Sequence, residues 1–130
     1  MSKIGESVKT DDFKKEKHVP VIELPGALKA GEAAAITVSV GKEIAHPNTT
    51  EHFIGWISLY YKPAGSKFIY NLGRADFVAH GASTDGANSL VLNTEPYAVF
   101  KVKLDQPGEL FATSYCNIHG LWESSVEVKF

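Results

Sequence analysis

The feature that most constrains the fold is an alternation of apolar and polar residues that recurs along nearly the whole chain. Apolar side chains occupy every second position over residues 36–40 and again over residues 98–104. A helical pattern of apolar residues at i, i+3, i+4 and i+7 is nowhere sustained for three turns. The chain is therefore predicted to be all-β, with strands that bury one face.

Turn-forming clusters at residues 63–66, 85–88 and 105–108 separate the alternating segments. The predicted strands are residues 18–24, 36–40, 54–61, 67–72, 89–92, 98–104, 109–115 and 125–130. About seven short strands at this spacing favour a β-sandwich with a short N-terminal extension. Within that extension, residues 9–15 are expected to form one helical turn.

The size and charge of the chain narrow the possible functions. A length of 130 residues is that of one domain, and we expect residues 1–130 to form a single domain. Thirteen basic and 15 acidic side chains give a net charge of −2. Because no basic excess is available to neutralise phosphates or anionic lipids, neither nucleic acid nor a membrane is expected as a partner.

The single cysteine, Cys116, excludes an intrachain disulfide framework and any metal site built from cysteines alone. A lone thiol is typical of a reducing compartment. The N-terminus carries no apolar core of a secretory signal, and no segment approaches the roughly 18 apolar residues of a membrane span. A cytoplasmic location is therefore expected.

Four of the five histidines lie where predicted strands meet loops. Cys116 and His119 have a C-x-x-H spacing, short enough for a thiolate and an imidazole to bind one ion. The polar loop 46–52 has a histidine at each end, and the segment 16–18 adds a histidine beside a carboxylate and an ammonium group. The candidate ligands are thus Glu16, His18, His46, His52, Cys116 and His119, with Lys17 beside them.

A structural role is the competing interpretation for each of these residues. A single loop histidine or lone cysteine is more often a hydrogen-bonded or packed side chain than a ligand. His80 has no partner at a metal-ligand spacing, so it is predicted to be hydrogen-bonded in a turn or in the core. Glu16 and Lys17 alone would fit a solvated charged run over residues 14–17. The joint occurrence of the candidate ligands in three loop segments favours a metal site.

The number and softness of these ligands favour one metal. Zinc prefers four tetrahedral ligands, fewer than this set provides. A blue-copper site uses two histidines, one cysteine and a weak axial methionine, but the only methionine is Met1. Four imidazoles and a thiolate with one open position suit a redox iron that binds a small oxygen species.

Several segments, taken together, resemble the single-iron superoxide reductases, also called neelaredoxins. They are residues 16–23, 40–44, 46–52, 73–74, 77–83, 94–96 and 114–123, in family order across residues 11–123. The resemblance implies an immunoglobulin-like β-sandwich and an iron held equatorially by His18, His46, His52 and His119 and axially by Cys116. It also implies that Glu16 is the sixth ligand of the oxidised form and that Lys17 is the cation beside the open position.

The resemblance further implies the reduction of superoxide to hydrogen peroxide, a rubredoxin-type electron donor and a homotetramer. One iron per subunit is expected, since the cysteine-rich domain of the two-iron members is absent. Ala45 and Phe53 depart from the family pattern, in which proline usually precedes the first loop histidine and a histidine follows the second. Neither position is a ligand, but the stiffness of the loop 46–52 is left open.

Two other functions remain compatible with the residues. A cupredoxin-like electron-transfer protein would share the sandwich and the late C-x-x-H, with copper bound through fewer ligands and no role for Glu16 or Lys17. A metal-free interaction module would require the loop histidines and the cysteine to be coincidental.

Overall fold

The computed structural model of the chain describes residues 3–130 and confirms an all-β fold with seven strands in two sheets. The strands are β1 (Pro20–Glu23), β2 (Ala33–Val40), β3 (Ile54–Pro63), β4 (Tyr70–Asp76), β5 (Tyr97–Lys103), β6 (Gly108–Cys116) and β7 (Gly120–Val128). A 3-10 helix at Ile4–Glu6 precedes them. None of the helical structure in this part of the chain is long and apolar enough to cross a membrane.

The two sheets are antiparallel and pack face to face as an immunoglobulin-like sandwich. One sheet has the order β1-β2-β5 and the other the order β4-β3-β6-β7. The central strands β2, β3 and β6 supply the most deeply buried side chains, among them Ile36, Ile57 and Leu110. The core therefore lies between the sheets, as the alternating sequence predicted.

Residues 89–92 were expected to form a strand, and that prediction is wrong. They belong to a loop in which Val91 is 99% exposed, and beside them an isolated bridge pairs His80 with Asn93. Apolar residues that face solvent have no second layer to bury them, so the apolar run does not produce a strand here.

Among the other strands, the observed bounds differ most from the predicted ones at β4 and β7. The predicted strand 67–72 begins late, at Tyr70, because Ser66 and Phe68 are held in a local turn. The predicted strand 125–130 begins early, at Gly120, because residues 120–124 continue the pairing with β6 up to Cys116. The expected turn within residues 9–15 is present as hydrogen bonds from the amides of Lys15 and Glu16 to the Asp12 carbonyl, both 3.0 Å long.

Strand pairing determines which ends of the strands lie together. The start of β1 pairs with the end of β2 through Pro20 and Val40. The end of β6 at Cys116 lies between the start of β3 at Ile54 and the start of β7 at Gly120. The segments that precede β1, join β2 to β3 and join β6 to β7 therefore emerge at one end of the sandwich.

Candidate metal centre

Those three segments carry all the predicted site residues, and the structure brings the main donors together. His18, His52, Cys116 and His119 each offer one ligand atom, and these atoms lie within 4.8 Å of one another. Nε2 of His18 lies 3.1 Å from Nδ1 of His119, which is 3.6 Å from Sγ of Cys116. Two nitrogens on opposite sides of one metal ion would be about 4 Å apart, so this cluster has the size of a mononuclear site.

His46 lies against the same cluster, with its ring centroid 4.7 Å from those of both His18 and His52. Its Nδ1 is 2.6 Å from the Pro47 carbonyl oxygen, which can only accept, so Nδ1–H donates. The lone pair is then on Nε2. The Pro47 carbonyl fixes the orientation of the ring, as backbone carbonyls do for histidine ligands of metals.

The Nε2 atoms of His46 and His52 are buried and have no hydrogen-bond partner among residues 3–130. An unpaired buried polar atom of this kind costs about 1–3 kcal/mol. Two such nitrogens beside a buried thiol are an unfavourable arrangement for a purely structural core. A metal ion would satisfy both, so the residues fit a bound metal.

Burial also keeps these two imidazoles in the neutral form that binds metals. It lowers the pKa of His46 to about 4, with a smaller opposing effect from the Pro47 carbonyl and further lowering from nearby positive charges, including Lys17. Burial lowers the pKa of His52 as well, again reinforced by neighbouring histidines and Lys17. Near pH 7 both rings therefore present a lone pair.

Cys116 ends β6 and is completely buried. Its Sγ accepts a hydrogen bond of 3.3 Å from the backbone N–H of His119. The short turn closes at Gly120, whose φ of 81° lies in the left-handed region that glycine adopts freely. The C-x-x-H segment therefore supplies two donor atoms and a hydrogen bond to the sulfur.

Glu16 lies behind His18 and outside the donor cluster. Its Oε1 is 2.6 Å from Nδ1 of His18 and accepts a 2.8 Å hydrogen bond from the His18 backbone N–H. Partial burial tends to raise the Glu16 pKa, but the bonds from His18 outweigh it and hold that pKa below its usual value. Since the two ring nitrogens point away from each other, Glu16 here supports His18, and its assignment as a ligand stays a prediction.

Lys17 is half-buried between Glu16 and His18 in the chain. Its ammonium charge lowers the pKa of both His46 and His52, so it lies close enough to influence two of the candidate ligands. Its role as the cation beside the open position stays a prediction.

His80 lies outside the cluster. Its Nδ1 is 2.6 Å from Oδ1 of Asn48 and its Nε2 is 2.7 Å from the Phe77 carbonyl oxygen. With both ring nitrogens in hydrogen bonds to protein atoms, neither is directed at the donor cluster. The geometry agrees with the predicted hydrogen-bonded role of His80.

Two residues at the site were missed in the sequence. Trp122 stacks on His18 with the ring centroids 5.0 Å apart, and no spacing rule indicated this contact. Asn117 donates to the Glu51 carbonyl and accepts from the Phe53 N–H, at 2.8 and 2.9 Å, which joins two ligand-bearing loops. Its position between Cys116 and His119 was the only available signal.

Comparison with known proteins agrees with this geometry. The family model described as Desulfoferrodoxin matches residues 10–125. A superoxide reductase of Pyrococcus furiosus is 51% identical over 126 residues, which cover 97% of this chain and 99% of that protein. A neelaredoxin of Megalodesulfovibrio gigas is also 51% identical over 126 residues, with 97% of each chain covered.

A solved structure of similar sequence identity shares the fold. The superoxide reductase (neelaredoxin) of Archaeoglobus fulgidus in the reduced form superposes with a TM-score of 0.88 at 55% sequence identity. The match covers 95% of this chain and 99% of that one. With a family model spanning most of its length and relatives above 50% identity, the chain belongs to the desulfoferrodoxin family.

Proposed function

We propose that the chain is a superoxide reductase that reduces superoxide to hydrogen peroxide at one iron per subunit. The observation that carries this proposal is the cluster of four imidazoles and one thiol, in which His18, His46 and Cys116 are buried and two imidazole nitrogens are left unpaired. Five donors exceed the four of a structural zinc site and the two histidines and one cysteine of a blue-copper site. The set matches the iron ligands that the family resemblance implies.

When bound, the iron supplies the one electron that superoxide takes up with two protons to form hydrogen peroxide. The chain's own residues tune that site. Cys116 would hold the iron through its sulfur and, as a thiolate, would donate electron density to it, and the hydrogen bond from the His119 N–H to that sulfur would moderate the donation. The Glu16 carboxylate at Nδ1 raises the basicity of the His18 ring.

Lys17 is proposed to attract the substrate. With a net charge of −2, the chain as a whole does not favour an anion, so attraction must come from a local charge. Besides the neighbouring histidines, the Lys17 ammonium is a positive charge that lowers the pKa of both His46 and His52. A small anion near these rings would therefore be attracted by this local positive charge.

Glu16 is proposed to act also as a sixth, exchangeable ligand of the ferric form, following the family resemblance. In the conformation described here its carboxylate is bonded to His18, so this role requires it to leave Nδ1 of that ring. A hard carboxylate prefers the more highly charged ion, which is why the role belongs to the oxidised form.

The electron donor and the oligomeric state are inferred from the same resemblance, and the location is inferred from the sequence. We propose a rubredoxin-type electron donor, a homotetramer and a cytoplasmic location. Sedimentation of the purified protein tests the tetramer, and reduction of the ferric form by a reduced rubredoxin tests the donor.

Metal analysis, a visible spectrum and the peroxide yield test the function together. We expect one iron per chain, an absorption band in the red for the ferric form, and one hydrogen peroxide for each superoxide consumed when an electron donor is present. One peroxide for every two superoxide ions, with oxygen released, would indicate dismutation. Bound copper would favour the cupredoxin-like alternative, and the absence of any transition metal would favour a metal-free interaction module.

A further inference from the structure

The loop 46–53 carries two of the candidate ligands but belongs to neither sheet. It contains one internal turn, in which the backbones of Thr49 and His52 bond each other at 2.9 and 3.3 Å. Sheet hydrogen bonds do not hold it, so contacts from elsewhere must position His46 and His52.

Those contacts come largely from residues 77–94, which we call the brace segment. Asn88 accepts from the Thr50 N–H at 2.9 Å and donates to both Glu51 carboxylate oxygens at 2.8 Å. Asn93 donates to the Asn48 carbonyl at 2.9 Å. The loop is therefore hydrogen-bonded along its length to a segment more than 30 residues away in sequence.

His80 lies at the centre of this arrangement and is buried. Its ring nitrogens are engaged by Asn48 of the loop and by Phe77 of the brace segment, and its carbonyl accepts a 2.8 Å hydrogen bond from Thr50 Oγ1. Its ring also stacks on Phe53, with the centroids 3.9 Å apart and the planes 13° apart. His80 thus contacts three residues of the loop between and just after the two histidine ligands.

We propose that His80 is a positioning residue that holds the loop 46–53 so that Nε2 of His46 and Nε2 of His52 face the metal. This inference rests on the proposed metal centre and adds to it a residue that does not touch the metal. Phe53 departs from the family pattern, and its stack on His80 would restrict the motion of the loop at that position.

The test is a His80→Phe variant of the iron-loaded protein. Phenylalanine keeps an aromatic ring against Phe53 but removes both ring hydrogen bonds, so it separates positioning by hydrogen bonds from simple packing. Val91→Ser, in the same segment but 99% exposed, is the matched control. The measurements are the rate of iron loss to a chelator, the visible spectrum of the ferric form and the thermal midpoint.

We expect His80→Phe to lose iron roughly tenfold faster than the wild type and to shift its visible band, the size of effect typical of residues that support metal ligands. Val91→Ser should match the wild type. Wild-type iron loss and an unchanged spectrum in His80→Phe would overturn the proposal while leaving the metal centre intact. A wild-type protein that retains no transition metal would overturn both.

A second variant keeps the proposal open to refutation if His80→Phe folds poorly. Asn48→Ala removes the loop's hydrogen-bond partner of His80 Nδ1, and should also speed iron loss by roughly tenfold. Because the two residues share one hydrogen bond, iron loss in the double variant should be faster than in either single variant by less than the product of the two effects. Fully multiplicative effects, or no effect of Asn48→Ala, would contradict the coupling.

Discussion

Replacing Gly41 by alanine tests how strictly the backbone before the first loop histidine must be placed. Gly41 follows β2 and has a φ of +88°. A Cβ added there would lie 2.9 Å from the backbone nitrogen of His46, whereas ordinary van der Waals contact begins at 3.4 Å. The backbone at His46 would therefore have to move by about 0.5 Å, which is the whole tolerance for a well-placed ligand.

Gly31→Ala is the matched control because Gly31 also has a positive φ, of +75°, but its added Cβ would meet nothing within 4 Å. Both variants pay the cost of a left-handed alanine, about 1–2 kcal/mol. In a domain of this size that cost lowers the thermal midpoint by roughly 4–8 °C. The difference between the two variants then isolates the contact with His46.

The assay compares iron loss to a chelator and the thermal midpoint for both iron-loaded variants. We expect Gly31→Ala to lose iron at the wild-type rate despite its lower midpoint. Gly41→Ala should lose iron roughly tenfold faster, because one ligand is displaced. Equal rates of iron loss in the two variants would refute the claim that Gly41 is required to place His46.

Four further changes test individual residues. Cys116→Ser should abolish the red absorption band of the ferric form, and an intact visible spectrum would exclude the thiolate as a ligand. Lys17→Ala should slow the bimolecular reaction with superoxide by roughly tenfold and flatten the dependence of its rate on ionic strength. Lys15→Ala should change neither the rate nor its salt dependence. Pulse radiolysis of the two variants at two salt concentrations measures both quantities. Glu16→Ala should shift the ferric spectrum and leave the initial bimolecular rate nearly unchanged, so a large fall in that rate would contradict its role as an exchangeable ligand. Burial raises the pKa of Tyr61 above its usual value of 10, so the unfolded chain ionises at this residue before the folded one does. The free energy of unfolding should therefore fall as the pH rises above 10. Tyr61→Phe should remove that part of the pH dependence, as measured in denaturant titrations.

Alternation predicted the buried side chains well where one face of a strand packs against the opposite sheet. Ile36 and Val38 of β2 are completely buried, and in β5 Val102 is buried while Val99 is 55% exposed. The same reasoning failed at residues 89–92, because a short apolar run does not reveal whether a second layer will cover it. Burial depends on the opposite sheet, which local sequence does not specify.

The ligands could be predicted because their side-chain chemistry is rare and they stand at the ends of strands. The brace segment could not, because Asn48, Asn88 and Asn93 are residue types that ordinary turns also use. Their function in the structure comes from hydrogen bonds between positions about 40 residues apart, such as Asn88 to Thr50 and Asn93 to Asn48. The antiparallel pairing of β3 with β4 brings them together, because it places the start of β3, where the loop 46–53 ends, beside the end of β4, where the brace segment begins.

The partners behind the imidazoles also make the histidines unequal donors. His18 faces an anionic carboxylate at Nδ1, whereas His46 faces a neutral carbonyl, so His18 is the more basic donor of the two. The same Oε1 of Glu16 bonds both Nδ1 and the backbone N–H of His18. If Glu16 leaves that ring to bind the ferric ion, both hydrogen bonds are lost and His18 becomes a weaker donor at that moment. The two proposed roles of Glu16 are therefore coupled, since this carboxylate oxygen would support His18 only while Glu16 is not bound to the metal.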